Sequence, residues 1–296
     1  MNGIINVFKP KDMTSHDVVN ILRRITGIKR IGHTGTLDPM ATGVLPICIG
    51  KATRVSEYLL NLDKEYIADL TLGSQTDTLD MEGEVINTSD KEVSRERITE
   101  VINTYVGDIL QTPPMYSALK FKGKKLYELA REGKTVERPK RKIKIYSIDI
   151  LNIDDNKKIT FKVHCSRGTY IRSLCDDIGF DLGTFGYMSY LMRSKAGSFE
   201  IQDSYSLDYL KNLNADEIRG ILIPMDRSLG HMDSFQIEDK YYDRLINGVK
   251  IKLEGQIDFK DDKEYRVYCK DLFIGIGRIV NIDSELYMKM KKVLLI

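Results

Sequence analysis

Segments with a strand-like spacing of apolar residues and segments with a helix-like spacing follow one another irregularly along this chain. This order limits the folds that the chain can adopt. Apolar and polar residues alternate over 66–72 and again over 159–165, as expected for half-buried β-strands. Apolar residues recur at helical spacing over 18–25 and over 171–178. Because the two patterns are interspersed without a repeating βαβ unit, we predict an α+β fold rather than a doubly wound parallel sheet.

The predicted helices have recognisable ends. Ser15 is expected to cap the first helix, and Gly27 to end it in the left-handed conformation. Gly107 is expected to close a helix that includes 98–105. Thr169 is expected to be the N-cap of the helix over 171–178, which would place Arg172 in the first turn of that helix.

The length of the chain suggests two domains. Its 296 residues exceed what a single core usually fills, and a hydrophobic content of 42% is enough for a sizeable core. From about Asp233 onward, short strand-like segments are separated by turns that contain glycine and aspartate, as is typical of a small β domain. We therefore predict domains at 1–230 and 231–296.

Cysteine usage and missing motifs exclude several functional classes. The four cysteines are far apart and form no C-x-x-C pair, and the sequence shows neither a leader pattern nor an apolar run of about 20 residues. We expect a cytoplasmic protein with reduced thiols and no membrane contact. No P-loop, zinc-hydrolase or dinucleotide motif is present, and the four histidines lack metal-ligand spacing, so neither a cofactor nor a metal is expected.

The glycine-rich segment 32–43 is the strongest candidate for a site. It reads Gly-His-Thr-Gly-Thr-Leu-Asp-Pro-Met-Ala-Thr-Gly and holds a single carboxylate, Asp38, in a stretch where three residues lack a Cβ. Such a backbone can admit a ligand closely. A tight turn capped by Asp38 would use the same residues for local reasons alone, so the segment by itself does not decide between a turn and a site.

A strongly basic segment spans residues 120–145. It contains eleven Lys or Arg residues against three Glu, an excess of +8 in a chain whose total is only +2. Solvated lysine-rich loops are common, but this concentration is what phosphate binding requires and favours a contact with nucleic acid.

Two further residues stand out by their position. Arg172 would oppose the dipole of its helix at a cost of roughly 0.3–1 kcal/mol, so it is a candidate for gripping a carboxylate or a phosphate, although an ordinary surface arginine is the alternative. Tyr66, in the strand that starts Lys-Glu-Tyr, offers a flat face for base stacking and a hydroxyl group for proton chemistry. A core aromatic residue would show the same pattern.

These segments together resemble the TruB-type tRNA pseudouridine synthases of bacteria. The resemblance rests first on residues 32–39. Five further segments match the family and occur in the same order along the chain: Lys9-Pro10, Lys64-Glu65-Tyr66, the stretch 115–127, the Gly-Thr-Tyr-Ile-Arg of 168–172, and the Tyr-Leu-Met-Arg of 190–193. It covers nearly the whole chain. Residues 273–278 resemble, more weakly, the small PUA-type RNA-binding domain of the family.

The resemblance implies a fold, a reaction and roles for named residues. It implies a central mixed, mainly antiparallel sheet flanked by helices, followed by a PUA-like β domain. It implies conversion of the T-loop uridine of tRNA, U55, to pseudouridine without a cofactor, after the base has been flipped out of the loop. In this interpretation Asp38 is the essential carboxylate, Arg172 pairs with it, and Tyr66 stacks on the target base. The expected substrate-binding residues are His33, Lys9, Leu191, Lys120, Lys124 and Lys125.

Two alternatives remain. One is an RNA-binding or RNA-folding protein, which the basic segment and the PUA-like tail alone would support. The other is a guide-RNA-dependent relative that acts on rRNA, although the chain lacks the long basic extensions expected there. We expect tRNA as the partner, no guide RNA, and a monomer.

Overall fold

The computed structural model describes residues 1–254 and 263–295. Its strands, in chain order, are β1 (Gly3–Lys9), β2 (Ile31–His33), β3 (Thr42–Ile49), β4 (Lys64–Leu72), β5 (Ser74–Thr76), β6 (Val85–Thr88), β7 (Gly107–Gln111), β8 (Lys120–Phe121), β9 (Lys124–Lys125), β10 (Arg141–Asp154), β11 (Lys158–Cys165), β12 (Gly186–Ala196), β13 (Phe199–Glu200), β14 (Tyr205–Ser206), β15 (Ser234–Gln236), β16 (Ile251–Lys252), β17 (Glu264–Cys269), β18 (Leu272–Ile282) and β19 (Glu285–Val293).

The helices are mostly short. They are α1 (Ser15–Thr26), α2 (Ser56–Leu60), α3 (Arg95–Asn103), α4 (Leu126–Arg131), α5 (Ile171–Leu182), α6 (Leu207–Lys211), α7 (Ala215–Gly220), α8 (Met225–Ser228) and α9 (Tyr242–Ile246). Three 3-10 turns lie at Gly50–Val55, Ile201–Asp203 and Asp239–Tyr241. None of the helices among the described residues is long and apolar enough to cross a membrane.

A ten-stranded mixed sheet forms the body of the protein. Its strand order is β14-β1-β3-β12-β4-β11-β10-β7, with β2 added on β3 and β13 on β12. Only the pairs β1–β14 and β3–β12 are parallel, and the others are antiparallel. The prediction of an α+β fold with a mainly antiparallel sheet is confirmed.

One face of this sheet packs against α1, α3 and α5. Tyr66, Ala68 and Leu70 alternate along β4 toward this core, which explains the two-residue period in the sequence. The helices contribute apolar stripes that are buried in the same cluster, formed by Val18, Leu22, Ile98, Ile102, Leu174 and Ile178. This packing fixes the start of α5, and therefore Arg172, against the middle of the sheet.

Three predicted helix ends differ from the structure. Thr14, not Ser15, is the N-cap of α1, with a capping box to Asp17, whereas Gly27 ends the helix in the left-handed conformation as predicted. Helix α3 ends at Asn103, and Gly107 begins β7 instead of closing the helix. The N-cap of α5 is Tyr170, whose side chain makes no capping bond. The hydroxyl group of Thr169, the predicted N-cap, donates to Ser166 O instead.

A second sheet of five strands follows, in the order β15-β17-β18-β19-β16. The strand-like segments predicted after residue 233 correspond to β16, β17 and β18, while the nine-residue β19 was not predicted. Ile276 of this sheet and Leu294, which follows β19, pack with Ile4 and Val44 of the first sheet. The boundary after residue 230 remains a prediction.

Candidate active site

Asp38 lies in the loop between β2 and β3, and the residues on either side of it are held by buried polar groups. The Ser15 hydroxyl accepts a hydrogen bond from Leu37 N at 2.8 Å and donates to Leu37 O at 3.1 Å. The Lys9 ammonium donates to Pro39 O at 3.1 Å. The Asp38 side chain itself is 35% exposed, so its carboxylate is both fixed and accessible.

Arg172 is the cation that faces Asp38. Its Nε lies 3.1 Å from Asp38 Oδ2 and its Nη2 lies 3.4 Å from Asp38 Oδ1, a two-point contact on one carboxylate. Nη2 also donates to Tyr116 O at 2.7 Å and Nη1 to Thr78 O at 3.2 Å. Asp38, Thr78 and Tyr116 belong to three separate loops, which therefore converge on one buried guanidinium.

A second carboxylate, Asp80, completes the cluster and was not singled out in the sequence. Its Oδ2 lies 3.5 Å from Arg172 Nη1, and the residue is 4% exposed. Asp80 Oδ1 accepts from the Thr78 hydroxyl at 2.6 Å and from Glu82 N at 3.1 Å. The two carboxylates offset the cost of placing a cation at the N-terminus of α5, where the first turn carries no acidic residue.

The surroundings set the ionisation of Asp38. Burial raises its pKa, the nearby charge of Asp80 acts in the same direction, and the positive charges of Arg172 and Lys9 oppose both. The result is a pKa above the ordinary value for aspartate, so the ionised carboxylate is more basic than a solvated one. Acidification is therefore expected to neutralise Asp38 earlier than a surface aspartate.

Tyr66 lies half-buried on β4, on the sheet face that packs against α5. Burial raises the pKa of its hydroxyl group, and the negative charge of Asp38 contributes in the same direction, so the phenol is protonated at neutral pH. Leu191 is the partner of Ala68 on the neighbouring strand β12 and is buried in the core cluster. Its predicted contact with a flipped base stays a prediction.

His33 is the last residue of β2 and is half-buried beside the glycine-rich loop. Its Nδ1 accepts from Gly35 N at 3.4 Å. Burial and the positive charge of Arg193 lower the pKa of His33. A neutral, flat imidazole suits stacking better than ion pairing, and the predicted contact of His33 with the substrate stays a prediction.

Lys9 does not occupy the substrate-binding position predicted for it. The residue is fully buried, and its ammonium group donates to Pro10 O at 2.8 Å, Met13 O at 2.6 Å and Pro39 O at 3.1 Å. All three protons are used by backbone carbonyls, and burial lowers the pKa to about 8. Lys9 therefore ties the Asp38 loop to the turn before α1 and leaves no donor for RNA.

The basic segment begins beside the same cluster. The carbonyl of Tyr116, which accepts a hydrogen bond from Arg172, is followed in the chain by the hairpin of β8 and β9. In this hairpin Lys120 pairs with Lys125 and Phe121 with Lys124. Lys120 is exposed, Lys124 forms an ion pair with Glu132 at 3.2 Å, and Lys125 lies over the ring of Tyr127. The predicted basic residues thus project from a short hairpin anchored next to Arg172.

The family follows from comparisons with known proteins. Residues 23–171 match the family model described as TruB family pseudouridylate synthase (N terminal domain), and 172–230 match the tRNA pseudouridylate synthase B C-terminal domain. The chain belongs to the TruB family. The proteins named tRNA pseudouridine synthase B from Clostridium tetani and Clostridium kluyveri are 48% and 47% identical to it. These matches cover 94% and 99% of this chain, and 96% and 99% of the two relatives.

Solved structures show the same fold over nearly the entire chain. A crystal structure of the archaeal box H/ACA sRNP Nop10–Cbf5 complex aligns with a TM-score of 0.75 at 27% identity, covering 99% of this chain and 86% of that one. An H/ACA RNP bound to a substrate RNA containing 2′-deoxyuridine aligns with a TM-score of 0.75 at 26% identity, covering 99% of this chain and 85% of that one. The fold therefore occurs in proteins that hold RNA.

Substitution of Lys9 tests its corrected role. We expect Lys9→Met to lower the free energy of unfolding by about 2–4 kcal/mol, because three buried carbonyls lose their donor. RNA affinity should stay within about twofold of wild type, because no ammonium proton of Lys9 is free for RNA. Urea unfolding and filter binding measure the two effects. A loss of affinity without a loss of stability would restore the predicted role in substrate binding.

Proposed function

We propose that this protein is a stand-alone tRNA pseudouridine synthase that converts the T-loop uridine U55 and needs no guide RNA. The observation that carries the proposal is the two-point contact between Arg172 and the accessible carboxylate of Asp38. The full-length relatives named tRNA pseudouridine synthase B support tRNA as the substrate. A cytoplasmic location and a monomeric state follow as parts of the same proposal.

The reaction is an isomerisation and balances without a further reactant. The N1–C1′ bond of uridine breaks, the base turns within the site, and a C5–C1′ bond forms. The proton on C5 leaves, and N1 ends protonated. No electron is gained or lost overall, so the chemistry asks for one ionised acid near C1′ or the base and for a means of moving a proton.

Each residue of the cluster has a role that fits this sequence of events. Asp38 attacks C1′ of the ribose, attacks the uracil ring, or acts as the proton acceptor that forms a glycal. Arg172 orients its carboxylate and stabilises the ionised form. Tyr66 stacks on the uracil ring and takes part in the late proton transfer as a relay, since a protonated phenol can donate its own proton while it accepts the one that leaves C5. Leu191 packs against the flipped base and His33 stacks within the emptied T-loop.

The basic hairpin binds phosphates in this proposal. We expect Lys120→Gln/Lys122→Gln to weaken tRNA binding and to lower the salt slope of log K by about 1 for each phosphate that is no longer bound. The turnover rate at saturating tRNA should change little. The matched control is Lys157→Gln/Lys211→Gln, which removes two exposed lysines outside the hairpin. Equal salt slopes in the two double variants would show that the hairpin lysines do not bind tRNA phosphates.

A guide-dependent synthase is the second candidate, because the two H/ACA complexes align over 99% of this chain. Site mapping separates the two. Purified protein is incubated with an unmodified tRNA transcript and no other RNA, and pseudouridine is located by carbodiimide labelling and primer extension. We expect one new stop, at U55, which is absent from a U55C transcript. No stop without added guide RNA would favour the second candidate.

A further inference from the structure

Arg193 on β12 is a buried cation to which the proposed chemistry gives no role. It is 1% exposed and is among the largest fully buried side chains. Its Nε donates to Val44 O at 2.7 Å and its Nη2 to Gly35 O at 3.2 Å. No carboxylate of residues 1–254 or 263–295 forms an ion pair with it.

The two carbonyls that it binds lie on either side of Asp38. Gly35 precedes the carboxylate by three residues and Val44 follows it by six. The main chain of Arg193 also touches this segment, because a Cβ on Gly43 would lie 2.3 Å from Arg193 O, and Gly43 has a φ of +104°. Both ends of the catalytic loop are therefore fastened to one residue of β12.

Arg193 is also the cross-strand partner of Tyr66. The register of β4 and β12 places the two residues opposite one another, so that their side chains leave the same face of the sheet. Burial raises the pKa of Tyr66, and the positive charge of the guanidinium opposes this effect. One side chain thus holds the Asp38 loop and lies beside the tyrosine that is proposed to move the proton.

The choice of arginine has a physical reason. A guanidinium presents donors in several fixed directions and keeps its charge at every accessible pH, whereas an ammonium group is a single point charge. Burying a cation without a carboxylate partner is costly, and carbonyl dipoles compensate only part of that cost.

We propose that Arg193 is a positioning residue of the isomerisation, one that fixes the Tyr66 hydroxyl group relative to the Asp38 loop. The inference rests on the proposed function and names a further group in the same site. Arg193 acts through Tyr66 and through the carbonyls of Gly35 and Val44, and it contacts no reacting atom.

The first test replaces the guanidinium with an ammonium group. We expect Arg193→Lys to lower the single-turnover rate about 10- to 100-fold, because the hydroxyl and the loop lose their common anchor. Affinity for tRNA should stay within about twofold of wild type. The matched control is Lys195→Met on the same strand, a partly exposed lysine paired with Glu200. If Arg193→Lys does not fold, Arg193→Gln carries the test, since it removes both the positive charge and the forked donor geometry of the guanidinium.

A double-mutant cycle with Tyr66→Phe distinguishes positioning from a general loss of packing. Removing the hydroxyl should itself slow the reaction. The factor by which Arg193→Lys lowers the single-turnover rate should then be at least about fivefold smaller in the Tyr66→Phe background than in wild type. Additive effects, or an unchanged rate for either single variant, would overturn the inference. A wild-type protein that forms no pseudouridine would instead overturn the proposed function.

Discussion

Asp38→Asn is expected to abolish pseudouridine formation while tRNA binding survives. The amide is nearly the same size as the carboxylate, but it can neither attack carbon nor accept a proton, so the rate should fall on the order of 10⁴-fold or more. Arg172 would keep Asp80 as a partner, and the fold should persist. Single-turnover tritium release from tRNA labelled at uridine C5 measures the rate, and filter binding measures the affinity.

The control for this substitution is Asp149→Asn, which changes an exposed carboxylate on β10 in the same way. It should leave both rate and affinity unchanged. Turnover by Asp38→Asn within tenfold of wild type would remove Asp38 from the chemistry, roughly 1.4 kcal/mol of barrier being too little for an essential group.

Arg172→Met is expected to have the next largest effect. Without the guanidinium, no cation lies between Asp38 and Asp80, and the negative charge of Asp80 disfavours the ionised form of Asp38 with less opposition. The rate at neutral pH should fall by about 10²–10³-fold, the usual loss when one preorganised charged group is removed. The Tyr116 and Thr78 carbonyls also lose their donor, so a lower melting temperature is expected.

The pH dependence of the rate should change in a defined direction in Arg172→Met. Activity requires ionised Asp38, so the rate is lost as pH falls through the pKa of that group, which is already raised by burial. Removing the positive charge of Arg172 raises the pKa further, and the acid limb of the profile should move to higher pH. Arg97→Met, which removes an exposed arginine of α3, should leave the limb in place. An acid limb that does not move in Arg172→Met would contradict the pairing.

The strands were the most predictable part of the fold. The alternation over 66–72 and 159–165 corresponds to β4 (Lys64–Leu72) and β11 (Lys158–Cys165), because each strand buries one face and a two-residue period leaves little freedom of register. Helix ends were less predictable. Thr14 and Ser15 are adjacent hydroxyl residues, and only the position of Leu37 in the fold decides that Ser15 holds the loop while Thr14 caps the helix.

Arg172 was predictable because it breaks a local rule. Arg172 opposes its helix dipole, and that conflict indicated a partner, although Asp38 lies 134 positions away in the chain. Asp80 breaks no such rule, since aspartate is ordinary in a polar turn, and only the three-dimensional fold brings it to Arg172. Lys9 was identified as part of the site, but its role was wrong because a carbonyl 30 residues away determines its contacts.

The most direct measurement of the central claim is tritium release by the wild-type protein. Unmodified tRNA labelled at C5 of its uridines is mixed with purified protein alone, without guide RNA, metal or cofactor. We expect release to reach one tritium per tRNA and then to stop, since one uridine is converted. No release, with tRNA binding intact, would contradict the proposed function and favour an RNA-binding protein.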